Sequence, residues 1–208
     1  MALPASTSDL TLKLMDSKSA TRRSAARSLR KRRDPSAGPA LLAALEQEIQ
    51  DPRTWETQYQ MIMALGESDV ISAIPLLQTI AHTPREATMV FVATGDALIR
   101  LAACQKQTDA VWHSLVHQRH EDVISGALRG THMAHLPVRE ETVMAIMTTL
   151  QDYPSDHPIM FWAATAAWRW TVPAAHHLLT TLASSPRADI QKAARQALQG
   201  KAVKHHVL

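Results

Sequence analysis

The stretch Ile190-Gln-Lys-Ala-Ala-Arg-Gln-Ala-Leu198 decides the fold of this 208-residue chain. Its apolar and small residues stand at relative positions 0, 3, 4, 7 and 8, which is the stripe that an amphipathic helix buries. The same frame occurs at six places, starting at residues 21, 57, 90, 123, 159 and 190, so successive copies are 36, 33, 33, 36 and 31 residues apart. A period of this length is typical of helical repeat proteins.

Each interval between two frames has room for one more helix and two short turns. Turn-forming residues mark the start of these extra helices, such as Asp34-Pro35 before residues 40–45 and Pro137 before residues 138–150. Each repeat is therefore a helical hairpin, and stacked hairpins bury one continuous core. We predict an all-α solenoid of about six hairpins and roughly twelve helices, forming a single domain over residues 1–208 with a flexible tail at 201–208.

Two segments resemble a known repeat family. Thr21-Arg-Arg-Ser-Ala-Ala-Arg-Ser-Leu29, followed by Asp34-Pro and by Gly38-Pro-Ala-Leu-Leu-Ala-Ala-Leu45, is similar to the second helix of one HEAT repeat and the first helix of the next. Ala64-Leu65-Gly66, followed by Ala73-Ile-Pro-Leu-Leu77, is a second match. The resemblance implies a right-handed superhelix whose second helices line a concave surface. HEAT-like solenoids include adaptors, inhibitors, nucleic-acid binders, chromophore lyases and DNA-repair glycosylases, so the fold does not imply one function.

The composition limits the compartment and the kind of site. Cys104 is the only cysteine, which rules out an internal disulfide and suits a reducing compartment. No stretch reaches about 18 uninterrupted apolar residues, and the N-terminus lacks the pattern of a signal peptide. We therefore predict a cytoplasmic protein that does not insert into a membrane.

The predicted binding surface follows from the core stripe. A step of about 100° per residue places positions 2, 6 and 9 of each second helix opposite the stripe, where we expect them to be exposed on the concave face. A shift of the frame by one residue would instead place Phe161 and Trp168 in the core. The predicted partner-binding residues are Arg23, Arg27, Arg30, Tyr59, Met63, Val92, Asp96, Arg129, His132, Phe161, Trp168 and Lys192.

Positive charge is concentrated near the N-terminus, although the chain has a formal net charge of only +3. The cluster consists of Arg22, Arg23, Arg27, Arg30, Lys31, Arg32 and Arg33. Our leading hypothesis is a scaffold that holds a protein partner in an apolar and aromatic groove while this cluster attracts an acidic region of the partner. An immunity or inhibitor protein that neutralises a toxin or enzyme would fit. The alternative is nucleic-acid binding, with the arginines on phosphates.

The sequence contains no familiar enzymatic motif. GxGxxG, GxxxxGK[ST], GxSxG and HExxH are absent, although His113, His117 and His120 share one helix ridge. HEAT-like alkylpurine DNA glycosylases use aromatic residues and an aspartate in a basic channel, but the predicted groove has few cations beyond the first repeat, so no catalytic residue is carried over. We predict a buried, inert Cys104, no metal, no cofactor and no enzymatic activity.

Overall fold

The computed structural model describes residues 5–84, 86 and 88–203, and within these residues every regular element is helical. Six first helices alternate with six second helices, so the predicted all-α solenoid of twelve helices is confirmed. The first helices are α1 (Thr7–Lys13), α3 (Gly38–Glu48), α5 (Ile74–His82), α7 (Thr108–Gln118), α9 (Glu140–Leu150) and α11 (Pro173–Leu182). The second helices are α2 (Ser19–Arg32), α4 (Trp55–Glu67), α6 (Thr88–Cys104), α8 (Glu121–Met133), α10 (Pro158–Ala166) and α12 (Ala188–Leu198).

The second helices form a continuous row in chain order, from α2 through α4, α6, α8 and α10 to α12. Five of the six described first helices pack against the second helix of their own hairpin, whereas α9 packs against the neighbouring first helices α7 and α11. The buried apolar residues of all six hairpins belong to one cluster that runs from Leu10 to Val203. The row of second helices is therefore the spine of the molecule, as expected when no hairpin can bury its apolar face alone.

Two Asp-Pro pairs precede the two helices of the second hairpin. The side chain of Asp34 accepts a hydrogen bond from the backbone N–H of Ser36, and that of Asp51 accepts one from the backbone N–H of Arg53. Each aspartate thus caps a short 3-10 turn that leads into α3 or α4. Hydrogen bonds from the Arg53 side chain and backbone lower the pKa of Asp51 to about 2.

The closest helix pair in the row is α6 against α8, and glycine makes this approach possible. A Cβ atom at Gly95 would lie 1.9 Å from the carbonyl oxygen of Val123, and one at Gly126 would lie 2.0 Å from that of Val92. The two backbones therefore meet without intervening side chains, which only glycine allows. These two glycines therefore set the distance between α6 and α8 in the middle of the row.

The predicted stripe of the second helices is largely buried, but several residues on the opposite side of these helices are buried as well. Most residues at positions 0, 3, 4, 7 and 8 are buried in five of the six copies, including Leu65, Ala97 and Ala194, whereas only Ala25 and Leu29 are buried in the first copy. The prediction that Met63, Asp96, Arg129 and His132 are exposed is wrong, since each is at most 6% exposed. An inner second helix has a second helix on either side, so less than half of its circumference reaches solvent.

The end helices differ because each has a second helix on one side only. Arg27 on α2 and Lys192 on α12 are exposed, as predicted. The remaining predicted surface residues are half-buried, and these are Arg23, Arg30, Tyr59, Val92, Phe161 and Trp168.

The chain continues past α12 into a short segment that turns back towards α8. Gly200 has a φ of +67° and allows the turn, and Val203 is buried with its carbonyl oxygen 3.0 Å from Nε2 of His132. Residues 204–208 of the predicted flexible tail lie outside the described residues. Among the helices that the structure describes, none has both the length and the apolar character needed to cross a bilayer.

Candidate anion-binding pocket

The arginine cluster of the first repeat is divided by its ion pairs. Arg22 forms two bonds with Glu48, from Nε to Oε2 at 2.5 Å and from Nη2 to Oε1 at 2.8 Å. Its Nη1 donates to the carbonyl oxygens of Asp16 and Ser17. The Glu48 side chain is only 3% exposed, so this pair joins α2 to α3 and is not available to a partner.

Two more cations of the cluster also have partners within the protein. Arg23 pairs with Glu56 on α4, and Arg32 donates to the carbonyl oxygen of Ala5. Arg27 and Lys31 differ from these, because among the described residues neither has a carboxylate or other hydrogen-bond partner. The cluster therefore contributes fewer free cations than its sequence suggests.

These two free cations open onto a pocket of about 890 Å³. It lies at the C-terminal ends of α2, α4, α6 and α8, along one rim of the row of second helices. Basic side chains from three of the four helices, or from the residue just after α2, form most of its wall. The lining residues are Arg27, Arg30, Lys31, Arg33, Glu67, Arg100, Arg129, Met133 and Ala134.

One buried carboxylate holds two arginines at the inner side of the pocket. Asp96, whose side chain is fully buried, bonds Nε of Arg100 through Oδ1 and Nη1 of Arg129 through Oδ2, each at 2.5 Å. Burial disfavours the charged form of Arg100, but the attraction and hydrogen bond of Asp96 outweigh this and raise its pKa. Both guanidinium groups are therefore charged and fixed in direction.

Further contacts hold Arg129 in place. Its Nη1 lies 3.8 Å from the sulfur of Met63, and its guanidinium carbon lies 5.8 Å from the centre of the Trp162 ring. A guanidinium over an indole face gains cation–π attraction. Arg129 was predicted as an exposed concave residue, and it is instead a buried, oriented part of the pocket wall.

The opposite wall repeats this arrangement with Glu67. Its Oε1 accepts from Nε and Nη2 of Arg30 at 2.9 and 2.8 Å, and its Oε2 lies 3.8 Å from Nε of Arg33. Arg30 also lies over the ring of Tyr59, with its guanidinium carbon 5.9 Å from the ring centre. Tyr59 therefore positions a pocket arginine, and its ring is partly covered by it.

The pocket has a strong positive charge. Six cations face two carboxylates, Glu67 and Asp96, which leaves a net charge of +4 for the lining residues and their direct partners. The C-terminal ends of the helices carry partial negative charge, which helps to hold the cations but offsets only part of this excess. The pocket is suited to an anion with several negative charges.

Sequence reasoning found part of this pocket. Arg27, Arg30 and Arg129 were predicted as concave residues, whereas Arg33 was assigned to the cluster alone and Arg100 was missed. Arg100 follows Asp96 at the i, i+4 spacing of a helical ion pair, and this signal could have revealed it. Nothing in the local sequence shows that Arg100 and Arg129 share one carboxylate, since they are 29 residues apart.

The other predicted surface residues lie outside the pocket lining. Phe161 and Trp168 belong to the C-terminal repeats, where Trp168 contacts His135 and Arg169. His132 donates from Nε2 to the carbonyl oxygen of Val203, and burial lowers its pKa below 6.5. The remaining residues of the prediction that do not line the pocket are Arg23, Tyr59, Met63, Val92, Asp96 and Lys192.

The prediction that the single cysteine is buried is wrong. Cys104 is exposed, not buried, and its sulfur lies 3.3 Å from a carboxylate oxygen of Asp69. Partial burial and this bond raise the pKa of its thiol, so it has no activated thiolate. Across residues 5–84, 86 and 88–203, no three histidine, cysteine or acidic side chains come together as metal ligands would.

Comparison with known proteins gives one family match and one structural likeness. The model of the PBS lyase HEAT-like repeat matches residues 21–47, which span α2 and most of α3. A search of curated proteins found no match. Among solved structures, human deoxyhypusine hydroxylase in complex with glycerol is similar, with 15% sequence identity, a TM-score of 0.41, and coverage of 96% of this chain and 85% of that chain.

The prediction that the chain is not an enzyme is contradicted by the second finding, because the solved protein with a similar helical architecture is a hydroxylase. This likeness assigns no activity, catalytic residue or substrate to the chain. The repeat match contains the segment that resembles HEAT repeats, residues 21–45, and extends from the first turn of α2 to the last turn of α3. The chain is an all-α solenoid in which residues 21–47 match the PBS lyase HEAT-like repeat.

Proposed function

We propose that the chain binds a partner protein by taking an acidic segment of that protein into the pocket at the C-terminal ends of α2, α4, α6 and α8. The observation that carries this proposal is the net charge of +4 around a cavity of about 890 Å³. Cations that lack internal partners can pair with a ligand without first breaking an ion pair within the protein. Arg27 and Lys31 are in this state.

The shape of the pocket favours an acidic protein segment over a nucleic acid. A nucleic acid presents phosphates at regular intervals and needs cations along a track. Here the free cations are gathered at one place, and Arg22 and Arg23, earlier on α2, are held by Glu48 and Glu56. An acidic segment of a few residues would fill the pocket without needing a track.

The aromatic part of the predicted groove takes a smaller role in this proposal. Tyr59 holds Arg30, and Phe161 and Trp168 are half-buried against the core. We therefore expect electrostatic attraction to contribute more to partner binding than apolar contact does. An immunity or inhibitor protein acting on a toxin or enzyme is one form that such a complex takes, and none of the described residues favours it over other forms.

The experiment is a fluorescence-anisotropy titration of a labelled peptide of about ten glutamates with three proteins. These are the unchanged chain, the double variant Arg27→Ala/Lys31→Ala, and the control Lys192→Ala/Arg195→Ala, which removes two exposed cations from α12. We expect the first double variant to bind about ten-fold more weakly and the control to bind as the unchanged chain does.

Both substituted pairs are on helix surfaces, so circular dichroism should show equal helicity in all three proteins. Equal losses in the two double variants would mean that the peptide responds only to overall charge, and the proposal would then fail. Salt dependence alone does not distinguish the ligand classes, because carboxylates and phosphates both bind cations more weakly at high ionic strength. A single-stranded oligonucleotide of equal charge is therefore the second ligand. Tighter binding of the oligonucleotide would favour the nucleic-acid alternative.

A further inference from the structure

We propose that the inner side of the pocket, between Arg100 and Arg129, recognises a phosphoryl group on the partner segment. This inference rests on the proposed function, since it concerns the same pocket and names the chemistry of its ligand. It comes from the arrangement of hydrogen-bond donors around Asp96.

Asp96 uses one donor from each arginine and leaves the others available. Arg100 is bound through Nε, so among the described residues its two Nη groups have no acceptor. Arg129 is bound through Nη1, so its Nε and Nη2 have none either. The side chain of Arg129 is 7% exposed, and it lines the pocket. Fixed guanidinium donors without acceptors are what a planar or tetrahedral oxyanion needs.

The charge at this point exceeds what one carboxylate ligand would neutralise. Two guanidinium groups share the single charge of Asp96, and Arg27 and Lys31, which line the same pocket, add two more positive charges. A carboxylate brings one negative charge, whereas a phosphorylated side chain brings about −1.5 to −2 and three acceptor oxygens. A phosphoryl group therefore matches both the charge and the number of donors.

The burial of Asp96 adds selectivity to this arrangement. Because the carboxylate is sealed beneath the two arginines, it orients them and is not itself presented to the ligand. A guanidinium held in this way loses little freedom when it binds an oxyanion. A lysine in place of Arg100 would keep the charge but lose the paired donors.

The test uses three labelled ligands of equal nominal charge: a peptide with about five phosphoserines, a peptide with about ten glutamates, and a single-stranded oligonucleotide of about ten nucleotides. We expect the unchanged chain to bind the phosphoserine peptide about ten-fold more tightly than the other two. The variant Arg100→Lys should lose this preference while its affinity for the glutamate peptide stays within about two-fold. The control Arg195→Lys, an exposed site on α12, should leave all three affinities unchanged.

The outcomes separate this inference from the proposed function. Binding of the glutamate peptide that depends on Arg27 and Lys31, with no preference for phosphoserine, would overturn the phosphoryl assignment and leave the proposed function in place. No binding of either peptide would overturn both. Tightest binding of the oligonucleotide would assign the pocket to nucleic acid and overturn the phosphopeptide assignment. If Arg100→Lys lowers the midpoint of thermal unfolding, Arg33→Ala at an exposed position of the opposite wall provides a second variant. It should weaken both peptides and keep the preference for phosphoserine, and loss of that preference would contradict the assignment to Arg100 and Arg129.

Discussion

The two ends of the solenoid use the same hairpin in different ways. In the first four hairpins, the ends of α2, α6 and α8 carry arginines that face a shared cavity. In the last two hairpins, α10 ends at Ala166, and a 3-10 turn over Ala167–Arg169 brings Trp168 against His135. The first four hairpins, which we call the charged half, therefore carry charged side chains at this rim. The last two hairpins, which we call the aromatic half, carry Trp168 at the same rim.

The C-terminal segment increases this difference. Val203 is buried and its carbonyl oxygen accepts a hydrogen bond from His132, so the C-terminal segment covers part of the end of α8. Repeats with one core pattern can thus differ in what their outer positions bind. The comparison shows that the core frame specifies the scaffold, and that residues outside the frame specify the site.

The largest expected effect is at the carboxylate that organises the charged half. Asp96→Asn leaves Arg100 and Arg129 facing each other without a counter-charge, at a site where both are largely buried. We expect a loss of about 4 kcal/mol in the free energy of unfolding, measured by urea denaturation. The control Asp152→Asn breaks an exposed pair with Arg119 and should change stability by less than about 1 kcal/mol. Similar losses in the two variants would contradict the role of Asp96.

The next effect concerns the contact of α6 with α8, which brings Asp96 and Arg129 together. Gly126→Ala would place a Cβ atom 2.0 Å from the carbonyl oxygen of Val92, so the helices would have to separate. We expect a loss of about 3 kcal/mol, at the upper end of the usual cost of overpacking. Gly200→Ala is the matched control, since no atom lies within 4 Å of its Cβ position and only its φ of +67° opposes the change, at about 1 kcal/mol. Equal costs would mean that α6 and α8 are not in close contact.

A smaller effect distinguishes the aromatic half from the charged half. Trp168→Ala removes a half-buried ring that packs against the core, so the free energy of unfolding should fall by about 1.5 kcal/mol. Its affinity for the glutamate peptide should not change, because Trp168 lies outside the pocket lining. Unfolding and peptide titration of the same sample measure both quantities. A large loss of affinity with unchanged stability would restore Trp168 as a partner-binding residue.

The smallest effect is a pH dependence at the segment that covers α8. Burial lowers the pKa of His132 below 6.5, while the unfolded chain retains the ordinary value. Between these two pKa values the unfolded state binds more protons, so stability should fall as the pH decreases through this window and should be unaffected by His132 above it. Urea unfolding between about pH 8 and about pH 5 should show a steeper decline for the unchanged chain than for His132→Gln. The exposed control His176→Gln should behave as the unchanged chain does, and an identical slope in all three would exclude His132 as the cause.

The fold could be predicted because its signal is local and repeated. A stripe of small and apolar residues, such as Ala193, Ala194 and Ala197, specifies the buried face of each second helix wherever the chain places it. The turns at Asp34-Pro35 and Asp51-Pro52 are specified locally as well, since each aspartate accepts a hydrogen bond from a backbone N–H two residues ahead. These features need no knowledge of the neighbouring repeats.

The site could be predicted only in part because it depends on neighbours. Whether Met63 or Asp96 is exposed is decided by helices on either side, and their separation is set by glycines in α6 and α8. The availability of an arginine depends in the same way on distant carboxylates: Arg22 meets Glu48, 26 residues away, while Arg27 meets none in the described part of the chain. Sequence reasoning therefore located the charge but could not tell free cations from paired ones.

The central claim is that anionic ligands bind the charged half and not the aromatic half. Chemical-shift mapping by NMR, with the glutamate peptide added to isotope-labelled protein, tests this most directly. The account predicts that the perturbed backbone amides lie at the C-terminal ends of α2, α4, α6 and α8, around Arg27, Glu67, Arg100 and Met133. Perturbations centred on α10 and α12, around Trp168 and Lys192, would contradict it.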